Sequence, residues 1–414
     1  MRGYGPTRWP WAAGRPEGSG ALAGSRRQLP VAHLTRGAVV LGLVSAAALA
    51  PTGSQGLTWS VVPSPNVRFP AESSTLDAVS CVSPAGCMAV GSYYGTHQGG
   101  APETALAESW NGTRWSVAPA SRPVRGVLLG VSCTSAASCV AVGRSGVNPT
   151  TQFMESWNGT TWSVMPSATT VGSELLGVSC VAATDCTAVG DRFRSPRDLT
   201  FIESWNGTTW STVPSPDTKA GQDSLTSVSC VSRTACTAAG VHFPPGFNAR
   251  PLIESWNGKR WSLTLAPNVN NNASFSGISC VSTRSCVAVG DYLDKSVNYK
   301  SLIESWNGAR WTIEPTPTEQ SKLLGVSCVS ATSCRAAGFA WTPFGNTNTL
   351  IESWNGARWA IEPTPNPPPA SDFHNLLAVS CAPARFCAAA GTYGNFLRPH
   401  APAMTVTEIG SAHR

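Results

Sequence analysis

The phrase E-S-W-N-G begins at Glu108 and returns at Glu155, Glu203, Glu254, Glu304 and Glu352, each time with a second tryptophan after two further residues. The tryptophans inside the phrase stand at 110, 157, 205, 256, 306 and 354, so the period is 47 to 51 residues. A chain that repeats at this interval is built of supersecondary units, none of which buries its apolar face alone. Four short strands with their connections need about 40–50 residues, the size of a propeller blade.

Each unit divides into four strand-like runs, A to D. In the sixth they are L-L-G-V-S-C (Leu323 to Cys328), C-R-A-A-G-F (Cys334 to Phe339), T-L-I-E-S-W (Thr349 to Trp354) and R-W-A-I-E-P (Arg358 to Pro363). Asn-Gly between C and D is the strongest short-range hairpin signal, because both turn positions tolerate positive φ. A two-residue turn pairs Trp110 with Thr113 and Glu108 with Trp115, making the two tryptophans diagonal neighbours. A three-residue turn with a bulge would change that register. Proline-rich punctuation such as P-S-P and P-T-P ends D and starts the crossing to the next A.

The ends of the chain are complementary. S-Q-G-L-T-W-S-V-V-P-S-P (Ser54 to Pro65) is a D strand with no A, B or C before it. A-P-A-M-T-V-T-E-I-G (Ala401 to Gly410) is a C strand, with its glutamate at Glu408 and no D after it. A linear solenoid has no need of such ends, whereas a ring uses them to seal its last blade and remove the exposed edges. The expected fold is therefore all-β: a seven-bladed β-propeller over 51–414, four antiparallel strands per blade, closed by the N-terminal strand pairing with the C-terminal blade.

On these residues the chain resembles seven-bladed propellers closed by a terminal strand, the arrangement of WD-repeat and related proteins of bacterial secreted type. The likeness runs from about residue 54 to residue 410. The S-W-N-G-x-x-W corner is also similar to the Asp-box of sialidase-type propellers, S-x-D-x-G-x-x-W, though one residue shorter and with Asn for Asp. That box is a structural corner, so the resemblance implies fold and not catalysis.

Residues 1–50 read as a leader. Six arginines and a single acid precede the apolar run Gly37 to Ala50, which ends in Ala48-Leu49-Ala50. This is the layout of a secretory signal peptide. A fourteen-residue run is too short for a permanent span. Arg26-Arg27 leaves the general and twin-arginine routes open, and a start codon further downstream is the plainer account of the long n-region. Without the leader there remain 23 basic and 22 acidic residues and only five lysines. Nucleic acid would need a concentrated basic face, so no nucleic-acid partner is expected.

Fourteen cysteines fall into seven C-x5-C pairs: Cys81/Cys87, Cys133/Cys139, Cys180/Cys186, Cys230/Cys236, Cys280/Cys286, Cys328/Cys334 and Cys381/Cys387. An even count at regular spacing behind an export signal predicts disulfides across each A–B hairpin. Zinc knuckles space their cysteines more closely. No metal and no cofactor is expected.

The seven recurring glutamates (Glu108, Glu155, Glu203, Glu254, Glu304, Glu352, Glu408) invite an acid–base reading, but a residue stamped into every blade is more economically a lattice element, pairing with an arginine or the backbone of the next blade. Asn111, Asn158 and Asn206 sit in formal glycosylation sequons, N-G-T, and are read as turn residues. Binding is expected where the repeats disagree, on the rim formed by the B–C and D–A connections. The candidates there are Tyr93, Tyr94, His97, Arg192, Phe193, Arg194, His242, Phe243, Tyr292, Trp341, Phe344, His374, Tyr393 and His400. The plain alternative is that these loops drift and their aromatics plug the top of the disc.

Enzyme readings fare poorly. A sialidase needs arginines converging from several blades, yet Arg192, Arg194 and Arg197 lie in one. A copper radical oxidase would need the histidines to converge with Tyr94 and Tyr393, and a serine hydrolase lacks its G-x-S-x-G elbow. The sequence favours a non-enzymatic scaffold for protein or glycan, with a carbohydrate-active enzyme at the channel mouth as the rival.

Overall fold

The computed structural model describes residues 56–412, apart from 66–72, 95–102, 120–124, 147–149, 167–170, 195, 219, 247, 265, 268, 270–271, 367–371, 384 and 395–402. The leader reading, His97 and His400 lie outside the described residues. The strands form seven four-stranded sheets. Six are sequential meanders; blade 1 runs Ser73–Ser83, Gly86–Tyr94, Thr104–Trp110, Trp115–Val117. The seventh takes Phe373–Ala382, Phe386–Gly394 and Met404–Ser411 from the end of the chain and Thr58–Val62 from its beginning. Thr58 pairs with Ser411 and Val62 with Thr407, antiparallel, so the ring is closed as the complementary ends require.

The core lies in the seams between blades. Alternation gives every sheet two apolar faces, and each apolar cluster joins one face of a blade to the opposite face of its neighbour. Met88 and Val90 of blade 1 pack with Leu128, Ala141, Phe153 and Trp162 of blade 2. Leu76, Leu106 and Trp110 of blade 1 pack with Phe386, Ala388 and Ile409 of blade 7, closing the circle. The outermost D strands are only three to five residues long, which limits the unpaired edge that each blade offers to another chain.

A second closed circuit joins the innermost strands. In every V-S-C or I-S-C the serine Oγ accepts the backbone N–H of the matching cysteine one blade further on, at 2.9–3.0 Å, and Ser380 of blade 7 accepts from Cys81 of blade 1. Seven serines thus tie seven A strands head to tail. The residue two before that serine is Ala78, Gly130, Gly177, Ser227, Gly277, Gly325 or Ala378. It must be small, since a Cβ on Gly130 would lie 3.1 Å from Gly177 Cα in the next blade.

The disulfides form as expected: Cys81–Cys87, Cys133–Cys139, Cys180–Cys186, Cys230–Cys236, Cys280–Cys286, Cys328–Cys334 and Cys381–Cys387. Each cysteine stands directly opposite its partner in the A–B ladder. In one respect the bridges depart from simple hairpin links at the rim: half of each belongs to the core. The strand-B cysteines Cys87, Cys139, Cys186, Cys236, Cys286, Cys334 and Cys387 are only 1–5% exposed, while their strand-A partners are half-buried. Strand B lies between A and C, so its sulfur is covered on both sides. Every seam cluster accordingly contains one bridge. The strand-B halves are part of the core between blades.

The bridges also belong to a row that crosses the whole blade: Cys81 pairs with Cys87, Cys87 with Trp110, and Trp110 with Trp115. The tryptophans are direct cross-strand partners rather than diagonal ones, which corrects the two-residue turn. Asn111 to Arg114 form a four-residue loop, in which Asn111 Oδ1 accepts the N–H of both Thr113 and Arg114 at 3.0 Å. Only Gly112 adopts positive φ (97°). All six corners are built alike, with indole centroids 5.6–5.8 Å apart. The C-strand indole N–H caps a carbonyl of the disulfide loop, as Trp110 does on Pro84 at 3.0 Å.

Blade 7 departs from this row. Gly410 stands where the other blades have the C-strand tryptophan, because Trp59 from the closing strand lies across it; a Cβ at Gly410 would come 2.8 Å from Trp59 Cε2. The Trp59 indole donates to Glu362 Oε2 of blade 6 at 2.8 Å, and Leu57 N to Glu362 Oε1 at 3.3 Å. Arg335 completes the clasp, 3.3 Å from Glu362 Oε1.

Candidate functional site: the variable rim

Antiparallel meanders put the A–B and C–D hairpins on one rim of the disc and the B–C and D–A connections on the other. The first rim is monotonous, six near-copies of disulfide and tryptophan corner. The second differs from blade to blade.

Most of the sequence-derived candidates are not in loops. Strand B outlasts its apolar alternation, so Tyr93, Tyr94, Arg192, Phe193, Arg194, His242, Phe243, Tyr292, Trp341 and Tyr393 are the last residues of B strands. Their ladder partners are the first residues of A and C, whose backbone pairing continues after the apolar pattern has ended. Among the described candidates Phe344 alone sits at a loop tip, 92% exposed, in the tight turn in which Gly345 N donates to Thr342 O and Thr342 N to Asn346 O. His374 is corrected from the D–A connection to strand A of blade 7. It is 3% exposed, stacked on Tyr393 at 6.1 Å, and its N–H donates to Thr347 Oγ1.

The candidates gather in separate places. On blade 4, His242 Nδ1 is 2.6 Å from Asp223 Oδ1 and 3.1 Å from Thr218 Oγ1, while Asp223 Oδ2 also accepts the Thr218 backbone N–H, so the imidazole anchors a turn. At the rim between blades 5 and 6, Trp341 stacks on Tyr299 at 5.4 Å and takes the edge of Phe339 at 4.9 Å. The Lys322 ammonium stands 3.7 Å from the Tyr299 ring centre and 3.3 Å from Asp291 Oδ2. Tyr299 and Lys322 are absent from the sequence-derived set because their partners come from the adjacent blade. On blade 3, Arg192, Phe193 and Arg194 stand together at the end of one strand, with Phe193 57% exposed.

The recurring glutamates are elsewhere, in the seams. All seven are 0–2% exposed. Among the described residues none of them pairs with arginine. Glu108 accepts Ser64 Oγ at 2.8–2.9 Å, Glu254 accepts Ser215 Oγ at 2.8–3.0 Å and Glu352 accepts Thr318 Oγ1 at 2.7 Å; each donor lies on the connection that enters the blade. Among the described residues no hydrogen bond reaches either oxygen of Glu203 or Glu304. Burial pushes the carboxyls up, to about 7 for Glu108, Glu155, Glu203, Glu254 and Glu352 and to about 8 for Glu304 and Glu408. A carboxylate pair facing one sugar ring is the requirement for glycosidic hydrolysis, and seam-buried residues do not supply it. Among the described residues no group of three His, Cys, Asp or Glu could hold a metal ion.

No family model matches the sequence, and no curated protein does. Similarity appears at the level of the backbone. "YCF48 bound to D1 peptide" superposes with a TM-score of 0.52 at 10% identity over 86% of this chain and 96% of that one. YCF48 from Cyanidioschyzon merolae gives 0.50 at 14% identity over 85% and 98%. Kuenenia stuttgartiensis hydrazine synthase gives 0.50 at 9% over 82% and 96%. At such identities the likeness is one of fold, and the fold it supports is the seven-bladed β-propeller.

Proposed function

We propose that this protein is a secreted, non-enzymatic binding scaffold whose variable rim takes a protein partner. The observation that carries the reading is the contrast between the rims: one written six times over, the other unlike in every blade and offering exposed Phe193 and Phe344 on a rigid frame. Varied residues on a fixed scaffold are the usual site of recognition, and aromatic and arginine side chains are the usual anchors. The similarly folded YCF48 is described with a bound peptide. Secretion rests on the leader and on seven disulfides, which belong to an oxidising compartment. The corner's likeness to an Asp-box is part of the same reading and concerns architecture alone. Glycan remains the other ligand class.

The test uses the mature chain, immobilised, against medium from the producing cells. Proteins retained by the wild type should be lost from a Phe193→Asp/Phe344→Asp variant and kept by an Arg310→Glu/Arg358→Glu variant of the opposite rim. Equal retention by both variants would refute the rim as the binding face.

A further inference from the structure

We infer that the blade 3 hairpin docks a protein segment rich in carboxylates. The inference rests on the rim reading and adds the chemistry of the partner. Strand B of blade 3 (Asp185–Arg194) turns into strand C (Arg197–Trp205), with Arg194 directly opposite Arg197 and Arg192 opposite Leu199. Directly paired residues share a side of the sheet, so the three arginines lie on one side, with Arg192 Cζ 5.5 Å from the centre of the Phe201 ring. Like charges opposed across a ladder destabilise it.

The chain neutralises comparable charges elsewhere on this rim, as in Arg144–Glu174 at 3.1 Å and Lys322–Asp291 at 3.3 Å. For Arg192 and Arg194 no ion pair is formed among the described residues. Arg192 Nε is buried without a hydrogen-bond partner, and Arg197 acts electrostatically on Asp217.

The guanidinium forks of Arg192 and Arg194 match carboxylates bidentately. The apolar complement is on the other side, where Phe193 is 57% exposed; Phe193 N donates to Gly172 O at 2.7 Å. A uniform polyanion fits less well. Asp198 is the cross-strand partner of Phe193, and its proton affinity is raised by partial burial first and by Glu174 second, so negative charge is disfavoured on that side. A peptide can alternate, meeting the arginines with acids and Phe193 with an apolar side chain.

The experiment is fluorescence anisotropy of a short labelled peptide alternating glutamate with leucine, titrated with the mature chain at about 50 and about 200 mM NaCl. Binding should weaken with salt, and by about tenfold in an Arg192→Gln/Arg194→Gln/Arg197→Gln variant. Arg194→Gln alone, at an exposed position that leaves the fold intact, should weaken it about threefold. Arg260→Gln/Arg310→Gln on the opposite rim should leave it unchanged. No peptide binding, equal binding by the arginine variants, or binding of a heparin fragment in place of the peptide would overturn the inference. If medium proteins are lost from the Phe193→Asp/Phe344→Asp variant but not from the arginine variants, the rim reading stands and this inference falls.

Discussion

Glu304 shows what a single repeated residue does in this ring. Its carboxyl sits in the seam between blades 4 and 5, and no donor among the described residues meets it. The reason is legible in one position. Five residues beyond Trp59 and Trp210 stand Ser64 and Ser215, which serve Glu108 and Glu254, whereas five beyond Trp261, before blade 5, stands Ala266. Ala266→Ser should give Glu304 a hydroxyl and stabilise the fold by about 1 kcal/mol at neutral pH; Ser215→Ala should destabilise it by about 1–3 kcal/mol. Chemical denaturation of both variants checks the pair.

The same carboxyls set a pH dependence. In the folded chain they hold their protons up to about 7 to 8, against about 4.5 when unfolded, so between those values the folded state binds more protons. Stability is fully present on the acid side and falls as pH rises through that window. Tm should therefore drop between pH 5 and pH 9. Glu304→Gln should flatten the slope, matching the wild type near pH 5 and exceeding it near pH 9. A Tm that rises across this range would exclude neutral seam carboxyls.

At the level of elements, the sequence conveyed the hairpins but not their register. Asn-Gly suggested a two-residue turn, yet the Asn side chain binds two backbone N–H groups and draws the next two residues into the loop, which sets Trp110 against Trp115. The cysteine ladder was readable because sulfur spacing survives any turn type. That Cys139, Cys186, Cys236 and Cys387 are core residues was not, since spacing gives the pairing and says nothing of which sulfur the next blade covers. A loop as short as C-x5-C stabilises by about 2 kcal/mol per bridge on the chain-entropy account. Replacing Cys280 and Cys286 together by alanine should thus lower stability by at least about that amount without opening the ring, as thermal unfolding would report. The rim was less legible. Polar strand ends carry no alternation, and contacts such as Tyr299 on Trp341 join residues of different blades, so no local pattern announces them.

For the whole molecule, the period and the matched ends were enough to give seven blades and their closure, because a strand lacking its sheet and a sheet lacking its strand have one economical solution. What sequence did not convey is how the seal is held. Gly410 yields its place to Trp59, and Glu362 of blade 6 takes both the Leu57 amide and the Trp59 indole. Gly410→Ala should displace Trp59, and Glu362→Ala should free the clasp. Both should lower Tm more than substitutions at the exposed corners, a comparison that differential scanning fluorimetry can make.

The claim on which all of this depends is that Thr58–Val62 is a strand of the last blade. Amide hydrogen exchange of residues 51–414, read on peptides covering 57–63 and 404–411, tests it directly. Closure predicts that amides of Thr58–Val62 bonded to Met404–Ser411 exchange as slowly as those within the other blades. Exchange of 57–63 at the rate of an unstructured chain, with the rest of the ring protected, would contradict it.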